Sequence, residues 1–427
     1  MAVTAITTTM AGAINYTHVT DTSADWASVP NSTYFYDKAD KLVHYKNSGG
    51  TVLEIFSAAG GLTYFTEAQS TTAPNATVNV DSLTAVAGTT DADIAIVPKG
   101  TGAFTLAIPD NATGGNKRGA GAVDLQLYRG ASGRVASGAN SFAAGKDNTA
   151  SGANSVCIGS DGNATNTNSI MIGRGTSSGA YALAAGYLTS ASGTNSLALG
   201  YGNTASGSES AVFGTYSASA SASYAMAFGR EQTASGDAAT AIGGQGNIAS
   251  ASRAIAIGNY LTANGQYSLA LGFRSHVFGV YGRQTYASGN ESTDGDSQIS
   301  KFVLRNRTTD AIATTITTDS NAASTNNQVI LSNQSAYAFE GKIIGKQSGS
   351  TNAAVWKVEG LIVRGANAAS TVLTASTVTL FSNLPGWGTP TLAADTTNGG
   401  LQVQVAGLAA TNIQWTAVIE TTEVIYA

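Results

Sequence analysis

Charge is scarce in this chain: Asp, Glu, Lys and Arg supply 11% of its 427 residues, against ~25% in an ordinary soluble domain. The formal net charge is −5 and no basic block occurs, so no nucleic-acid partner is expected. The single cysteine, Cys157, excludes an internal disulfide framework and suits synthesis in a reducing cytoplasm. No stretch approaches 18 consecutive apolar residues, so no membrane insertion by a helix is expected. Residues 1–19 lack a positively charged start followed by an apolar run, which argues against a secretory signal. Sustained heptads are missing too, and with them the pattern of a coiled-coil stalk.

What the chain does have is glycine, 50 residues of it, together with 43% hydrophobic residues. The hydrophobic residues are regularly placed, which argues for packed structure over disorder. From Ser141 onward a five-residue core ending in glycine recurs ten times: SFAAG, SVCIG, SIMIG, ALAAG, SLALG, SAVFG, AMAFG, ATAIG, AIAIG and SLALG. Successive closing glycines, Gly145 to Gly272, lie 13 to 15 residues apart. Between cores stands a second short element, often Ala-Ser-Gly, as at Ala150-Ser151-Gly152 and Ala205-Ser206-Gly207.

Each core alternates with a period of two, the signature of a strand. Five residues are too few for a stable helix. One unit of two short strands and two tight turns cannot bury its own apolar face, whereas a stack of units pairs every backbone group with the coil above and below. At ~4.8 Å per coil, ten coils make a rod roughly 50 Å long.

The large residues of the second and fourth positions are expected to fill the coil interior. They are Val156, Ile158, Ile170, Ile172, Leu197, Leu199, Met226, Phe228, Ile255, Ile257, Leu269 and Leu271. The small third-position residues Ala143, Ala184, Ala198, Ala227, Ala241, Ala256 and Ala270 are then expected to face outward, toward the axis of a trimer.

This repeat resembles the head domain of trimeric autotransporter adhesins over roughly residues 131–290, and the same repeat occurs in phage fibre proteins. The resemblance implies a left-handed parallel β-roll that trimerises. An adhesin would need a signal, a coiled-coil stalk and a membrane anchor, so the phage host is favoured. Val97-Pro98-Lys99-Gly100-Thr101-Gly102 and the run from Ile108 to Gln126 are similar to shaft-entry segments of such fibres.

The expected fold class is all-β, with an N-terminal β meander, a central left-handed parallel β-roll of about ten 14-residue coils, and a C-terminal antiparallel β-sandwich. The divisions are a docking domain at 1–60, a shaft-entry segment at 61–130, the roll at 131–296 and a knob at 297–427. In the meander, Tyr34-Phe35-Tyr36, Leu42 to Tyr45 and Thr51 to Phe56 are strands, with a turn at Asn47-Ser48-Gly49-Gly50. Asp93 to Val97 is expected to pair with Ala103 to Ile108 across Pro98 to Gly102. Strands at Phe302–Arg305, Gln328–Leu331, Ala336–Ile344, Val355–Val363, Thr371–Phe381, Leu401–Ala406 and Ile413–Ile425 build the sandwich. This knob resembles C-terminal β domains of phage virion proteins.

Chemistry is thin. His18, His44 and His276 stand far apart and none has metal-ligand spacing. Cys157 sits at a small repeat position, so packing explains it. Gly200-Tyr201-Gly202 matches part of a phosphate-binding fingerprint but lacks the strand-to-helix context. Acids in the roll, Asp147, Asp161, Glu209, Glu231 and Asp237, are scattered and do not form the carboxylate pair of a glycosidase.

Glu291, Asp294 and Asp296 gather at the roll–knob junction as calcium candidates, a solvated linker being the plainer account. Trp387, in the loop from Pro385 to Pro390, is the candidate sugar-contacting aromatic, with a tucked-in loop anchor as the alternative. Trp356 and Trp415 fall within alternating strands and read as core.

No catalytic residue and no cofactor is expected. The function this implies is a homotrimeric virion fibre (tail fibre) attaching to the host surface without catalysis. The alternative is a head fibre or capsid-decoration trimer that stabilises the particle. The expected partners are two further copies of the chain, another virion protein bound through residues 1–60, and a host surface glycan or protein.

Overall fold

The computed structural model describes residues 18–20, 23–37, 42–56, 65–70, 80–85, 95–108, 114–382 and 386–426. Two compact units emerge, Met1–Val97 and Pro98–Ala427.

In the first unit, Thr33–Asp37, Leu42–Lys46 and Val52–Phe56 form the antiparallel meander that the sequence suggests, and His18–Thr20 adds parallel to Thr33–Asp37. The turn is closed by the Asn47 side chain, whose oxygen accepts the N–H groups of Gly49 and Thr51 at 3.0 and 2.9 Å. Phe35 is fully buried, stacked on the His44 ring and met edge-on by Trp26. The Lys46 ammonium donates to the carbonyls of Trp26, Ala27 and Val29, tying the short 3-10 turn Ser23–Ser28 to the sheet. A separate hairpin pairs Phe65–Ser70 with Val80–Ala85.

The second unit opens with a correction. Phe104–Thr105 pairs parallel with Val123–Tyr128, not across the Pro98–Gly102 turn with the preceding segment. Asp93 and Ile94 lie outside the described residues, and Ile96 and Val97 are exposed and outside any strand. From Phe104 to Ser288 the chain winds a parallel solenoid of about twelve turns. Successive cores stack in exact phase: Val156 lies beside Ile170, Cys157 beside Met171 and Gly159 beside Gly173.

The interior of this column reverses the expectation. Ala143, Ala184, Ala198, Ala227, Ala241, Ala256 and Ala270 are 0% exposed and fill the coil. They face the alanines of the second short strand, among them Ala150, Ala191, Ala205, Ala234 and Ala263, also 0% exposed. The twelve large residues assigned to the core point outward: Val156, Ile170, Leu197, Leu199, Phe228, Leu269 and Leu271 are half-buried, and Ile158, Ile172, Met226, Ile255 and Ile257 are exposed. The reason is width. Two strands joined by turns of a few residues lie close together, and in most coils alanine facing alanine fills the space. Cys157 and Met171 fit inside where Gly162 leaves room beside them, and Val212 is the other larger residue at this position.

Polar residues complete the coil. Asn148, Asn203 and Asn247 are fully buried at one corner. The Asn203 amide donates to the carbonyls of Leu199 and Gly214, and its oxygen accepts the Ala218 N–H. Asn247 repeats the pattern with Ile242, Gly258 and Leu261. Each amide thereby satisfies backbone groups of its own coil and the next, which a buried corner otherwise leaves orphaned.

At its C-terminal end the parallel order stops. Gln284–Ser288 pairs antiparallel with Ser297–Thr308, the first strand of the knob. The knob is the expected sandwich. One sheet runs Ser297–Thr308, Ile413–Ile425, Ser335–Gln347, Ala353–Arg364, Thr371–Ser382. The smaller sheet centres on Gly400–Val405, flanked by Thr314–Thr315, Val329–Ile330 and Thr391–Asp395. Phe302, Leu304, Ile316, Tyr337, Trp356 and Trp415 are among the residues buried in its core, as alternation along the strands indicated for both tryptophans.

Candidate interaction surfaces

The outward set of large residues forms a continuous apolar stripe along the column. Ile158, Ile172, Met226, Ile255 and Ile257 are 40%, 46%, 40%, 37% and 43% exposed in the single chain. The stripe continues into the knob along a line of register partners, Leu271, Tyr286, Ile299, Thr422, Ala338 and Leu361, in which Thr422 is the polar member. Soluble proteins rarely leave so long an apolar surface uncovered. Beside it runs a ladder of Tyr187, Tyr201 and Tyr216, stacked at 5.4 and 5.6 Å, with the guanidinium groups of Arg174 and Arg230 over its two end rings.

Charged plugs close the column. At its start, Asp124 lies 2.7 Å from Arg118 and 3.0 Å from Arg129, all three side chains buried. At its end, Arg283 is fully buried, paired with Glu423 of the last knob strand and set over the rings of Phe278, Phe302 and Tyr337. Glu423 also accepts from Gln298 and Thr421. Replacing Glu423 by Gln keeps the shape but leaves the guanidinium uncompensated, which is expected to cost about 3–5 kcal/mol. Thermal unfolding checks this: an unchanged melting temperature would remove the pair from any part in joining column to knob.

His276 is partly buried at the same junction. Its Nδ1 accepts the Phe278 N–H at 2.9 Å, so the ring is neutral. Burial first, and the nearby Arg283 second, push its pKa down to about 4 against a smaller opposing pull from Asp294. The unfolded chain therefore binds a proton below pH 6.5 that the folded chain refuses until about pH 4. Stability is full above pH 6.5 and falls by up to about 3 kcal/mol as the pH drops to 4. His276→Gln is expected to flatten the melting-temperature profile across that window relative to the parent; parallel profiles would refute it.

The calcium candidates do not converge. The Asp296 carboxylate closes its own loop, accepting the N–H groups of Glu291, Ser292 and Thr293. Burial acts to raise its pKa, but these hydrogen bonds outweigh burial and hold it below the usual range. Asp294 is paired with Arg274 at 2.8 Å, and Glu291 is exposed. Among the described residues no group of three or more His, Cys, Asp or Glu is placed to hold a metal ion.

Trp387 is the tucked-in loop anchor of the two readings, and the sugar-contact reading is corrected. It is 6% exposed and packs edge-on against Trp415 at 5.5 Å, beneath Gly345, where a Cβ would come 2.8 Å from its ring. Its loop folds the indole into the sandwich core, where no sugar can stack on it. Cys157 is fully buried and burial pushes its thiol up to about 12, so it is not a nucleophile.

Two clefts on the large knob sheet were not visible in the sequence. One, of about 590 Å³, lies near the column and includes Tyr286, Ile299, Lys301, Glu340, Glu359 and Glu420. The three glutamates are register neighbours on adjacent strands, and Lys301 pairs with Glu420 at 3.1 Å. The second, of about 650 Å³, lies at the other end of the same strands and includes Arg307, Lys346, Asn412 and Gln414. Residues from six strands line the first cleft and residues from three strands, with their ends, line the second. Only pairing register, which the alternation of each strand does not fix by itself, brings them together.

A family model for the YadA head domain repeat matches residues 136–161, 177–203 and 191–217. No curated protein matches. Among solved structures, the chain is similar to the tailspike protein gp49 of Acinetobacter baumannii bacteriophage Fri1, a capsular polysaccharide depolymerase. The match has 9% identity over 84% of this chain and 75% of that one, with a TM-score of 0.21. It is also similar to the tailspike protein of Acinetobacter baumannii phage AM24, with 10% identity over 73% of this chain and 60% of that one and a TM-score of 0.17. All the residues matched by the family model lie on the solenoid, whose repeat is similar there to the YadA head repeat.

Proposed function

We propose that the chain is a homotrimeric attachment fibre of a bacteriophage virion, whose knob contacts the host surface and which performs no catalysis. The observation that carries this is the apolar stripe from Ile158 to Leu271. Two more copies, set around a common axis, would bury it in a three-sided rod. The YadA-head-like repeat supports the same arrangement. Residues 1–60 would dock to another virion protein, leaving the knob free to bind.

Depolymerisation is the competing activity. A glycosidase needs one carboxyl held protonated near neutral pH. Of the three clustered glutamates, Glu359 is pushed the other way: hydrogen bonds from Lys357 and Thr377 hold its carboxyl below the usual range.

The test has two parts. Sedimentation of the purified full chain is expected to give a trimer, and a single-chain mass would end the proposal. Labelled antibody to the chain, imaged on virions, is expected to mark the tail. Labelling of the capsid would establish the decoration role instead. Shortening of host capsular polysaccharide by the purified chain would replace binding by hydrolysis.

A further inference from the structure

The second cleft has a chemistry that nothing so far accounts for. Arg307, Gln414 and Lys346 are register partners on three neighbouring strands and share the outer face of the large sheet. At ~4.8 Å per strand, the backbones bearing the two cations stand about 10 Å apart with the amide between them. The cleft lining holds no acidic residue; besides the two cations it offers amides, hydroxyls and the side chain of Ile344. Among the described residues, the Arg307 guanidinium and the side-chain amides of Asn412 and Gln414 have no intramolecular hydrogen-bond partner. Lys346 donates to the carbonyls of Gln347 and Ser350, which leaves one of its three donors for a ligand.

We propose that this cleft binds an acidic saccharide. The carboxylate of a uronic or sialic acid unit is held by Arg307 and Lys346. The neighbouring hydroxyl groups are met by Gln414 and Asn412, and the apolar face of a sugar ring lies on Ile344. Guanidinium is the better of the two cations for carboxylate, because its paired donors match both oxygens. Alternation of cation, amide and cation fits a ligand with one charge among many hydroxyls better than it fits a bare anion. A volume of about 650 Å³ suits two to three sugar units, within the range of ordinary ligand sites. The inference rests on the attachment proposal and names the chemistry of the receptor.

The full-length chain is titrated calorimetrically with tetragalacturonate, a hyaluronan tetrasaccharide and sialyllactose, and with the methyl ester of any that binds. At least one of the three is expected to bind. Its ester should bind ten-fold or more weakly. Arg307→Gln and Lys346→Gln should each weaken binding ten-fold or more, whereas Lys117→Gln, an exposed lysine outside the cleft, should have no effect. Silence with all three sugars, equal affinity for the ester, wild-type affinity in both cleft variants, or complete displacement by equimolar sulfate would each overturn the inference.

Adsorption of the chain to host cells separates the two proposals. If the parent chain adheres and the Arg307→Gln, Lys346→Gln double variant adheres equally, the cleft is not the receptor site and attachment stands. If the parent chain fails to adhere, attachment falls, and the sugar titration alone judges the cleft.

Discussion

Substituting alanine for Gly200 is expected to unfold the column at a temperature roughly 10 °C or more below the parent, a loss of about 4 kcal/mol or greater. Gly200 has φ +117, and a Cβ there would lie 1.8 Å from the carbonyl oxygen of Gly214 in the next coil. The obstacle is backbone, held in the ladder by its own partners, so no side chain can move aside. The conformation by itself costs an L residue about 1–3 kcal/mol. The same close approach recurs on the second turn, where a Cβ on Gly193 would lie 1.9 Å from the Gly207 oxygen, which explains why both elements of the repeat carry glycine. Gly133, with no atom within 4 Å of an added Cβ, is the control and should tolerate alanine. If both variants melt like the parent, the coils are not stacked as closely as described.

Placing aspartate at both Ile158 and Ile172 is expected to separate the trimer into single chains. The two residues are register partners in adjacent coils and face outward, so the column of the double variant should still wind. In a three-fold rod the double variant would bury six unpaired carboxylates, each costing several kcal/mol unless it stays protonated. Association should weaken at least a thousand-fold, about 4 kcal/mol. Sedimentation at micromolar concentration should then report 43.0 kDa in place of three times that mass, with the far-ultraviolet dichroism of the β-sheet unchanged. A trimer that survives both substitutions would show that the stripe is not the contact, and the attachment-fibre proposal would lose its main support.

The limits of the sequence are clearest in the column. Strict alternation identified the strands, and the spacing from Gly145 to Gly272 identified the coils and their register. Alternation says only that two sets of side chains face opposite ways. It does not say which way is inward, and the usual rule that large apolar residues go inside pointed to the wrong set. The signal that could have decided it was present: the alternating residue of the second element is Ala or Ser in repeat after repeat (Ala150, Ala164, Ser177, Ala191, Ala205, Ala220, Ala234, Ala249, Ala263). The matching inward set of the core is therefore the small one, with Cys157, Met171 and Val212 its larger members. Trp387 shows the same limit on a smaller scale, since a loop residue flanked by Pro385, Gly386 and Gly388 gives no pattern from which burial can be read.

The amino-acid sequence by itself determined the class of the fold, the coil period, seven of the knob strands (though not Thr314–Thr315 and Thr391–Asp395) and the absence of disulfides within the chain, because each follows from local periodicity and composition. Only the tertiary structure decided which face of the coil is the core, that Arg283 meets Glu423 across 140 residues, and that Arg307, Gln414 and Lys346 share one cleft. Those facts depend on the distance between strand walls and on the register between strands remote in the chain, and both are set by the packing of all the elements together.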